Sequence, residues 1–504
     1  MLFLVIAIFT TKSFSNPIVT ADTIRIDGKL VLWLRANHYE NGWNYGYLLG
    51  EKIMYMFNNY VINSAFGGAA NYSVARQLFN QRFVVDEKYN EISQGMIDGI
   101  IASGVSVFCV PLNDNLTYKD VLIANSIPDF SSFSEQWQNI GPGCSNLTSW
   151  GNATINDPEL SGETVISRNL DWINNATLIN NPLIIVWGAA SANEQSWISF
   201  GFVGLIGALS GFNESGIVTF QNMGNYSTTP VGSGFYPVNL AQLDGFEMLD
   251  YNGDGVCSPR DVSDAVRDHN VAGTFIVHSA GPAFFNPPAE ILEIHNSYGD
   301  TIRTVLQNPD FFGDNLVATN HFRLLKPPAF CSRYSRISDS LEISNQFSIK
   351  RNWSVLTTAG VTTNLQTIQY IPTQHILRFS FAEIGTPAYL IDPTEVWTDS
   401  LFSLVGIKEQ NFNANPIKIS PNPCNDQTNI IITLNEIDRV KCYITTLSGT
   451  VIKNFGVIKP FDNELTLRWN TQEIQSGVYL IVVNLLGGFY GNDHVVSEKI
   501  TVIH

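Results

Sequence analysis

Segment 141–151, GPGCSNLTSWG, sets a cysteine directly after a glycine. Glycine leaves the peptide bond before the cysteine sterically open and its backbone free to bend. The Cys144 thiol can therefore attack the Gly143 carbonyl in an N-to-S acyl shift, and hydrolysis then leaves Cys144 with a free α-amine. Such an amine has a reference pKa of about 8, so it can act as base for its own thiol. One residue then supplies both nucleophile and base. A cysteine taken alone is more often a small buried apolar side chain, so its surroundings decide the reading.

Four further segments offer the groups this chemistry needs. In SRNLDW (167–172), Arg168 can hold a thiolate by its charge, and Asp171 can accept from the α-ammonium or the thiol. Taken in isolation, the two read equally well as a structural ion pair. In GFNESG (211–216), the Asn213 amide can donate to a developing oxyanion, and Asn320 of TNHF (319–322) offers a second amide. Either asparagine can instead cap a turn. SRYSR (332–336) adds guanidinium groups, with Arg333 the first choice for the site and Arg336 the alternative. No papain-type Cys–His signature is present, so His38, His321 and the other histidines need no catalytic role.

With YENGWNYGYLLGE (39–51) ahead of them, these motifs form an ordered set over roughly residues 30–385. The set resembles the cysteine N-terminal-nucleophile (Ntn) hydrolases, which include choloylglycine (bile salt) hydrolases, acid ceramidases and the acyl-CoA:6-aminopenicillanic acid acyltransferases. It is most similar to the last of these. The resemblance implies an α+β fold, a four-layer αββα sandwich, and autocatalytic maturation. It implies Cys144 as nucleophile, Arg168 and Asp171 as supports for its thiol and amine, Asn213 and Asn320 around the oxyanion, and an arginine of SRYSR completing the site.

Segment 250–261, DYNGDGVCSPRD, fits a twelve-position calcium loop. Oxygens would come from Asp250, Asn252, Asp254, the Val256 carbonyl, Ser258 and Asp261, with Gly255 at the sharp turn. Asp261 stands where glutamate is usual, as in dockerin-type loops, which this one resembles. A single loop without a paired partner points to a structural Ca²⁺ stapling an insertion. The plainer reading is a solvated acidic turn. No organic cofactor is expected.

The elements that must position these groups follow from periodicity. Helical patterns run over Tyr39–Met54, Tyr89–Ile101 and Pro259–His269. Strand-like stretches cover Glu163–Arg168, Leu183–Trp187, Trp197–Val203, Gly216–Gln221, Gly273–His278, Ile291–His295, Trp353–Leu356 and Ile376–Phe381. Strands mixed with separate helices indicate a layered α+β domain. The reading divides it into an N-terminal part at 16–143 and a nucleophile-bearing part at 144–405 that carries the loop insertion 250–261. A polar linker at 406–416 leads to a tail at 417–504. In the tail, short strands at Asn429–Thr433, Val440–Thr445, Glu464–Trp469 and Val478–Asn484 suggest a small β-sandwich.

The tail's SPNP (420–423), TLSG (446–449), SGVYL (476–480) and KITV (499–502) resemble the sorting domains of proteins exported by the type IX secretion system. The resemblance implies that machinery as a partner and passage across the outer membrane. At the other end, an apolar run Met1–Phe9 followed by Ser13, Phe14 and Ser15 reads as a signal peptide over 1–15. Elsewhere nothing reaches the ~20 apolar residues of a membrane span. Among 504 residues, 45 acidic against 28 basic side chains leave a net charge of −17, which disfavours nucleic acid as a partner. Charged residues are only 14%, while hydrophobic ones reach 44%, enough for sizeable cores. Six cysteines without a CxxC pair exclude a zinc knuckle, and a Cys424–Cys442 disulfide stays open.

The functional expectation is therefore a secreted, self-processed hydrolase of linear N-acyl amides, working on a small molecule through a thioester. The alternatives are an acyltransferase, or a non-catalytic, calcium-stabilised surface binding protein.

Overall fold

The computed structural model describes residues 19–133, 137, 143–226, 228–307, 313–405, 417–433, 439–447, 450–458, 464–486 and 494–504. The expected signal peptide and linker, and Gly141 and Pro142 of the cysteine segment, lie outside the described residues.

Two sheets lie face to face. A nine-stranded sheet runs in the order Asp22–Ile26, Lys29–Leu34, Pro182–Trp187, Trp197–Phe202, Ser210–Asn213, Val218–Met223, Thr274–Ala280, Ala289–His295 and Gly299–Arg303. Among the described residues its only parallel pairing joins Lys29–Leu34 to Pro182–Trp187. A six-stranded antiparallel sheet runs in the order Asn315–Ala318, Gly143–Ser149, Val165–Asp171, Asn364–Ile371, Ile376–Phe381 and Thr394–Trp397.

Many strands are apolar on both faces, because each sheet is covered twice. Val31 and Trp33 enter the core between the sheets, where they join Phe200, Phe220, Ile368 and Phe379. Their neighbours Leu32 and Leu34 face the helical layer. That layer contains the helices His38–Met56 and Glu87–Ala102. On the other side, Ser332–Ile343 and Ile349–Thr358 cover the six-stranded sheet through Tyr334, Ile337, Val355 and Leu356, packed on Leu147 and Val317. The stack is thus αββα.

The glycines of YENGWNYGYLLGE have a packing role. A Cβ on Gly42 would stand 1.9 Å from the Ile92 carbonyl oxygen, and one on Gly46 would stand 2.0 Å from that of Met96. Gly95 and Gly99 on the facing helix are equally tight against the Tyr39 and Trp43 carbonyls, at 2.1 and 2.0 Å. The two helices touch backbone to backbone.

One expected strand is corrected. Trp353–Leu356 lies inside the helix Ile349–Thr358, which Ser348 caps by accepting from Arg351 N. Ile349, Asn352, Val355 and Leu356 form its buried face at helical spacing. A short apolar run of this kind fits either period until its flanks are read.

The tail is a two-sheet sandwich. Ile417–Ser420, Gln427–Thr433 and Glu464–Asn470 form one sheet. Val451–Ile458, Arg439–Thr446, Gly477–Leu486 and His494–Val502 form the other. Ile430, Ile432, Ile444, Trp469 and Ile481 pack between them. Cys424 and Cys442 share this core, and all six cysteines are free.

Candidate active site

Cys144 is the second residue of the strand Gly143–Ser149. Antiparallel pairing with Val165–Asp171 sets Gly143 opposite Asp171, Cys144 opposite Leu170 and Asn146 opposite Arg168. Even-numbered side chains of the cysteine strand turn toward the nine-stranded sheet, as Asn146 donating to Asn222 Oδ1 and Thr148 bonded to His278 show. This register brings thiol, guanidinium and carboxylate to one end of the sandwich.

Every polar atom of Cys144 is held. Its Sγ accepts from Arg168 Nη2 at 3.0 Å, and its S–H faces the Gln221 carbonyl at 3.7 Å. Its backbone N–H donates to Asn320 Oδ1 at 2.9 Å, and its carbonyl accepts from Arg333 Nη1 at 3.1 Å. Arg333 Nη1 also reaches Asp171 Oδ2 at 2.7 Å, and its Nη2 bonds Asn320 Oδ1. Asn364 Nδ2 completes the Asp171 carboxylate at 3.1 Å. Arg168, fully buried, is fixed by the Leu209 and Gln221 carbonyls and lies over the Phe220 ring.

Gly143 sits in the same tight space. A Cβ there would stand 3.2 Å from Arg333 Nη1 and 3.4 Å from Asp171 Cβ. Burial pushes the Cys144 thiol up, against the pull of the Arg168 charge. Burial also raises the Asp171 carboxyl, which Arg333 and Asn364 draw back down. Cys144 is therefore a thiol, not a thiolate, held beside the Arg168 guanidinium.

The structure brings together Cys144, Arg168, Asp171, Asn320 and Arg333. Arg336 lies apart, with Nη1 directed at the Thr358 and Gly360 carbonyls. Asn213 is not brought to Cys144. Its Nδ2 donates to the Phe246 carbonyl at 2.9 Å and its Oδ1 accepts from Ile217 N at 2.8 Å, closing a hairpin. Leu209, whose carbonyl holds Arg168, is four residues away, about 13 Å along extended chain. We expect Asn213→Ala to cost about 1–3 kcal/mol of stability, because buried partners lose their bonds. Thermal melts of the variant beside the wild type would check it.

Two participants carried no sequence signal. Asn364 meets Asp171 across a pairing nearly two hundred residues long. Gln221 contributes a main-chain carbonyl, and its fully buried side-chain amide has no partner at either atom. Among the described residues no histidine hydrogen-bonds Cys144, and His278 is bonded to Thr148.

An apolar cavity of ≈ 60 Å³ lies near the site. Met56, Phe57, Tyr60, Trp172, Leu178 and Leu209 help line it, so that it reaches the residue after Asp171 and the residue whose carbonyl holds Arg168. Trp150 and Trp187 lie elsewhere, the first between the sheets and the second stacked on Trp197.

The 250–261 loop precedes the helix Pro259–Asp268. Asp250 accepts from Gly253 N and Gly255 N, both at 2.9 Å, and both glycines take positive φ, 77° and 86°. Asp261 is buried and forms a capping box with Ser258 while also accepting from Tyr251 N and Asn252 N. Among the described residues no three His, Cys, Asp or Glu side chains already converge as a metal site.

Residues 418–496 match the family described as "Secretion system C-terminal sorting domain". No curated protein matches the chain. Among solved structures, the chain is similar to a Caenorhabditis elegans N-acylethanolamine-hydrolyzing acid amidase ortholog, at 16% identity over 45% of this chain and 93% of that one, with a TM-score of 0.34. It is similar to a mutant conjugated bile acid hydrolase from Clostridium perfringens, at 13% identity over 50% and 92%, with a TM-score of 0.31. It is also similar to penicillin V acylase from Agrobacterium tumefaciens, at 14% identity over 50% and 85%, with a TM-score of 0.33. Likenesses at this level carry no argument about activity. The tail is a type IX secretion sorting domain, and it directs the chain to the cell surface or out of the cell. Among the described residues no helix is long and apolar enough to cross a membrane.

Proposed function

We propose that the chain is the uncut precursor of an exported cysteine amide hydrolase of the Ntn type. The observation that carries this reading is the grip on both reacting ends of Cys144. Its Sγ rests on Arg168, and its backbone nitrogen already rests on Asn320 Oδ1, an acceptor equally suited to an amide N–H and to an amine.

In maturation the Cys144 sulfur attacks the Gly143 carbonyl, the peptide C–N bond breaks, and the nitrogen takes up the thiol proton. Water then hydrolyses the thioester, leaving a Gly143 carboxylate and a free Cys144 α-amine. In turnover that amine removes the thiol proton as Sγ attacks the acyl carbonyl of the substrate, and it returns the proton to the departing amine. Arg168 stabilises negative charge on sulfur, while Arg333 and Asp171 keep the Cys144 backbone in place. Asn213 is committed to its hairpin, and Asn320 Nδ2 donates to the Met223 carbonyl at 2.7 Å, so a developing oxyanion takes the Asn320 amide only by displacing that bond. Water ends the cycle, since an exported enzyme meets it in preference to CoA-linked acceptors. The apolar cavity takes the acyl group.

Intact-mass measurement and N-terminal sequencing test the reading. Two fragments are expected, the larger beginning at Cys144 and releasing amines from N-acyl substrates. A chain that stays whole and inert toward thiol reagents would sink it.

The same reading includes a structural Ca²⁺ held by Asp250, Asn252, Asp254, the Val256 carbonyl, Ser258 and Asp261. The alternating oxygens of an exposed loop with two glycine turns support it. The internal bonds of Asp261 make it the ligand that must give up most. Adding Ca²⁺ to about one hundred times Kd should stabilise the chelator-treated protein by about 2.7 kcal/mol. Asp254→Ala should erase that rise in Tm, and a melt indifferent to millimolar Ca²⁺ removes the metal from the account.

A further inference from the structure

The two central strands of the tail's larger sheet are buried on both faces over Val440–Thr445 and Ile481–Asn484, apart from the half-buried Lys441. Along Arg439–Thr446, Val440, Cys442 and Ile444 face the tail's own core, and along Gly477–Leu486, Tyr479, Ile481 and Val483 do the same. Alternation sends Tyr443, Thr445, Val482 and Asn484 to the opposite face. There a two-sheet sandwich offers only solvent, yet Tyr443 is 0% exposed, Val482 1% and Asn484 8%. The larger domain covers them.

The contact has an apolar centre and a charged hub. Trp397, at the end of the six-stranded sheet's edge strand, stacks on Tyr443 with ring centroids 5.7 Å apart, and Lys441 Nζ lies 5.3 Å from the Trp397 ring centre. Asp399, two residues on, binds Lys441 Nζ and Asn484 Nδ2, each at 3.3 Å, while its other oxygen meets His375 Nδ1 at 2.5 Å. Burial alone would raise the Asp399 carboxyl, but the hydrogen bond and charge of His375, with Lys441, outweigh it and hold it at about 2. The hub stands on a rigid base. The helix Thr398–Val405 sends Leu401 and Phe402 into the core between the sheets, and the Leu401 carbonyl accepts from Trp33 Nε1 at 3.0 Å.

We propose that this outer face of the sorting tail is a docking surface for the larger domain of the same chain, and that it holds the two together after the connecting segment 406–416 is cut. A sheet exposed on one face normally alternates apolar with polar residues, whereas LIVV (480–483) is apolar on both faces, as a doubly covered stretch requires. A tether supplies millimolar effective concentration to any weak contact. Cutting it leaves the interface alone to hold, and proteolysis of the connection does not by itself release the enzyme from its tail.

The test uses the full chain with a site-specific protease sequence inserted after Gln410. After cutting, the two pieces are expected to elute together from a size-exclusion column at micromolar concentration and physiological salt. Lys441→Glu, which sets like charge against Asp399, should weaken their association by about tenfold or more. Lys418→Glu, the same charge change at an exposed position of the tail's other sheet, should not. Circular dichroism of each variant checks that the tail stays folded. Separation of the wild-type pieces overturns the proposal, and so does equal behaviour of the two lysine variants. Cleavage at Gly143–Cys144 reads out separately, so failure of the docking and failure of the catalytic reading are distinct.

Discussion

Cys144→Ala is expected to leave the chain in one piece and to lower amide hydrolysis by about 10⁴-fold or more, to the level that binding and oxyanion contacts alone support. Both losses follow from one atom. In the proposed scheme the sulfur that attacks Gly143 in maturation also attacks the substrate, and before cutting the nitrogen that would serve as base is still an amide bonded to Asn320. No neighbour can stand in. Ser145 is buried with an unpartnered hydroxyl, yet strand alternation turns it from the face Cys144 uses, and it sits opposite Asn169. Intact mass and turnover of an N-acyl substrate check the outcome together, and a Cys144→Ala chain that still cuts itself would move the nucleophile to another residue. Cys144→Ser makes the intermediate case. It keeps a nucleophile of the right size but loses the soft, more acidic sulfur that Arg168 faces at 3.0 Å, so slow cutting and weak turnover are expected.

How far the site could be seen in the sequence depended on the distance between its parts. Cys144, Arg168 and Asp171 lie on two successive strands, so a local pairing of SRNLDW with the cysteine segment already puts them together. Asn320 and Arg333 come from elements more than 170 residues away, and only the order of motifs pointed to them. Asn213 stayed open because GFNESG reads as an amide beside flexible glycines, which suits an oxyanion donor and a hairpin cap alike. The strand register, which the sequence does not display, puts it at the far end of the sheet from Cys144. Gln221 escaped for a different reason. Its contact with sulfur is made by the main chain, which every residue has, and its unpartnered amide is a property of the packed interior.

Separating Asp171 from Arg333 should produce the largest loss of stability and stop processing as well. The pair is close, 2.7 Å, and side-chain exposure is 4% for Asp171 and 15% for Arg333. Removing one partner from a buried pair costs about 3–5 kcal/mol, chiefly by stranding the other charge. Asp171→Ala strands a guanidinium that still holds the Cys144 carbonyl and Asn320. Arg333→Met strands a carboxyl whose acidity burial already opposes and Arg333 helps to maintain. The two variants should then part company with pH. Without Arg333, the Asp171 pKa in the folded chain rises further above its unfolded value of ~4. The folded state then binds a proton that the unfolded state has released, and stability must fall as pH climbs from about 4 through the folded pKa. Asp171→Ala has no carboxyl to titrate and should lack that slope. The double variant Asp171→Asn with Arg333→Met should recover much of the lost stability, since neither charge remains, and should show no such slope. It should nevertheless remain uncut, because Cys144 would have lost the guanidinium that fixes its carbonyl at 3.1 Å. Thermal melts across pH with fragment analysis on the same samples would separate the two roles. A double variant that regains cleavage along with stability would mean the pair supports the fold and takes no part in positioning the nucleophile.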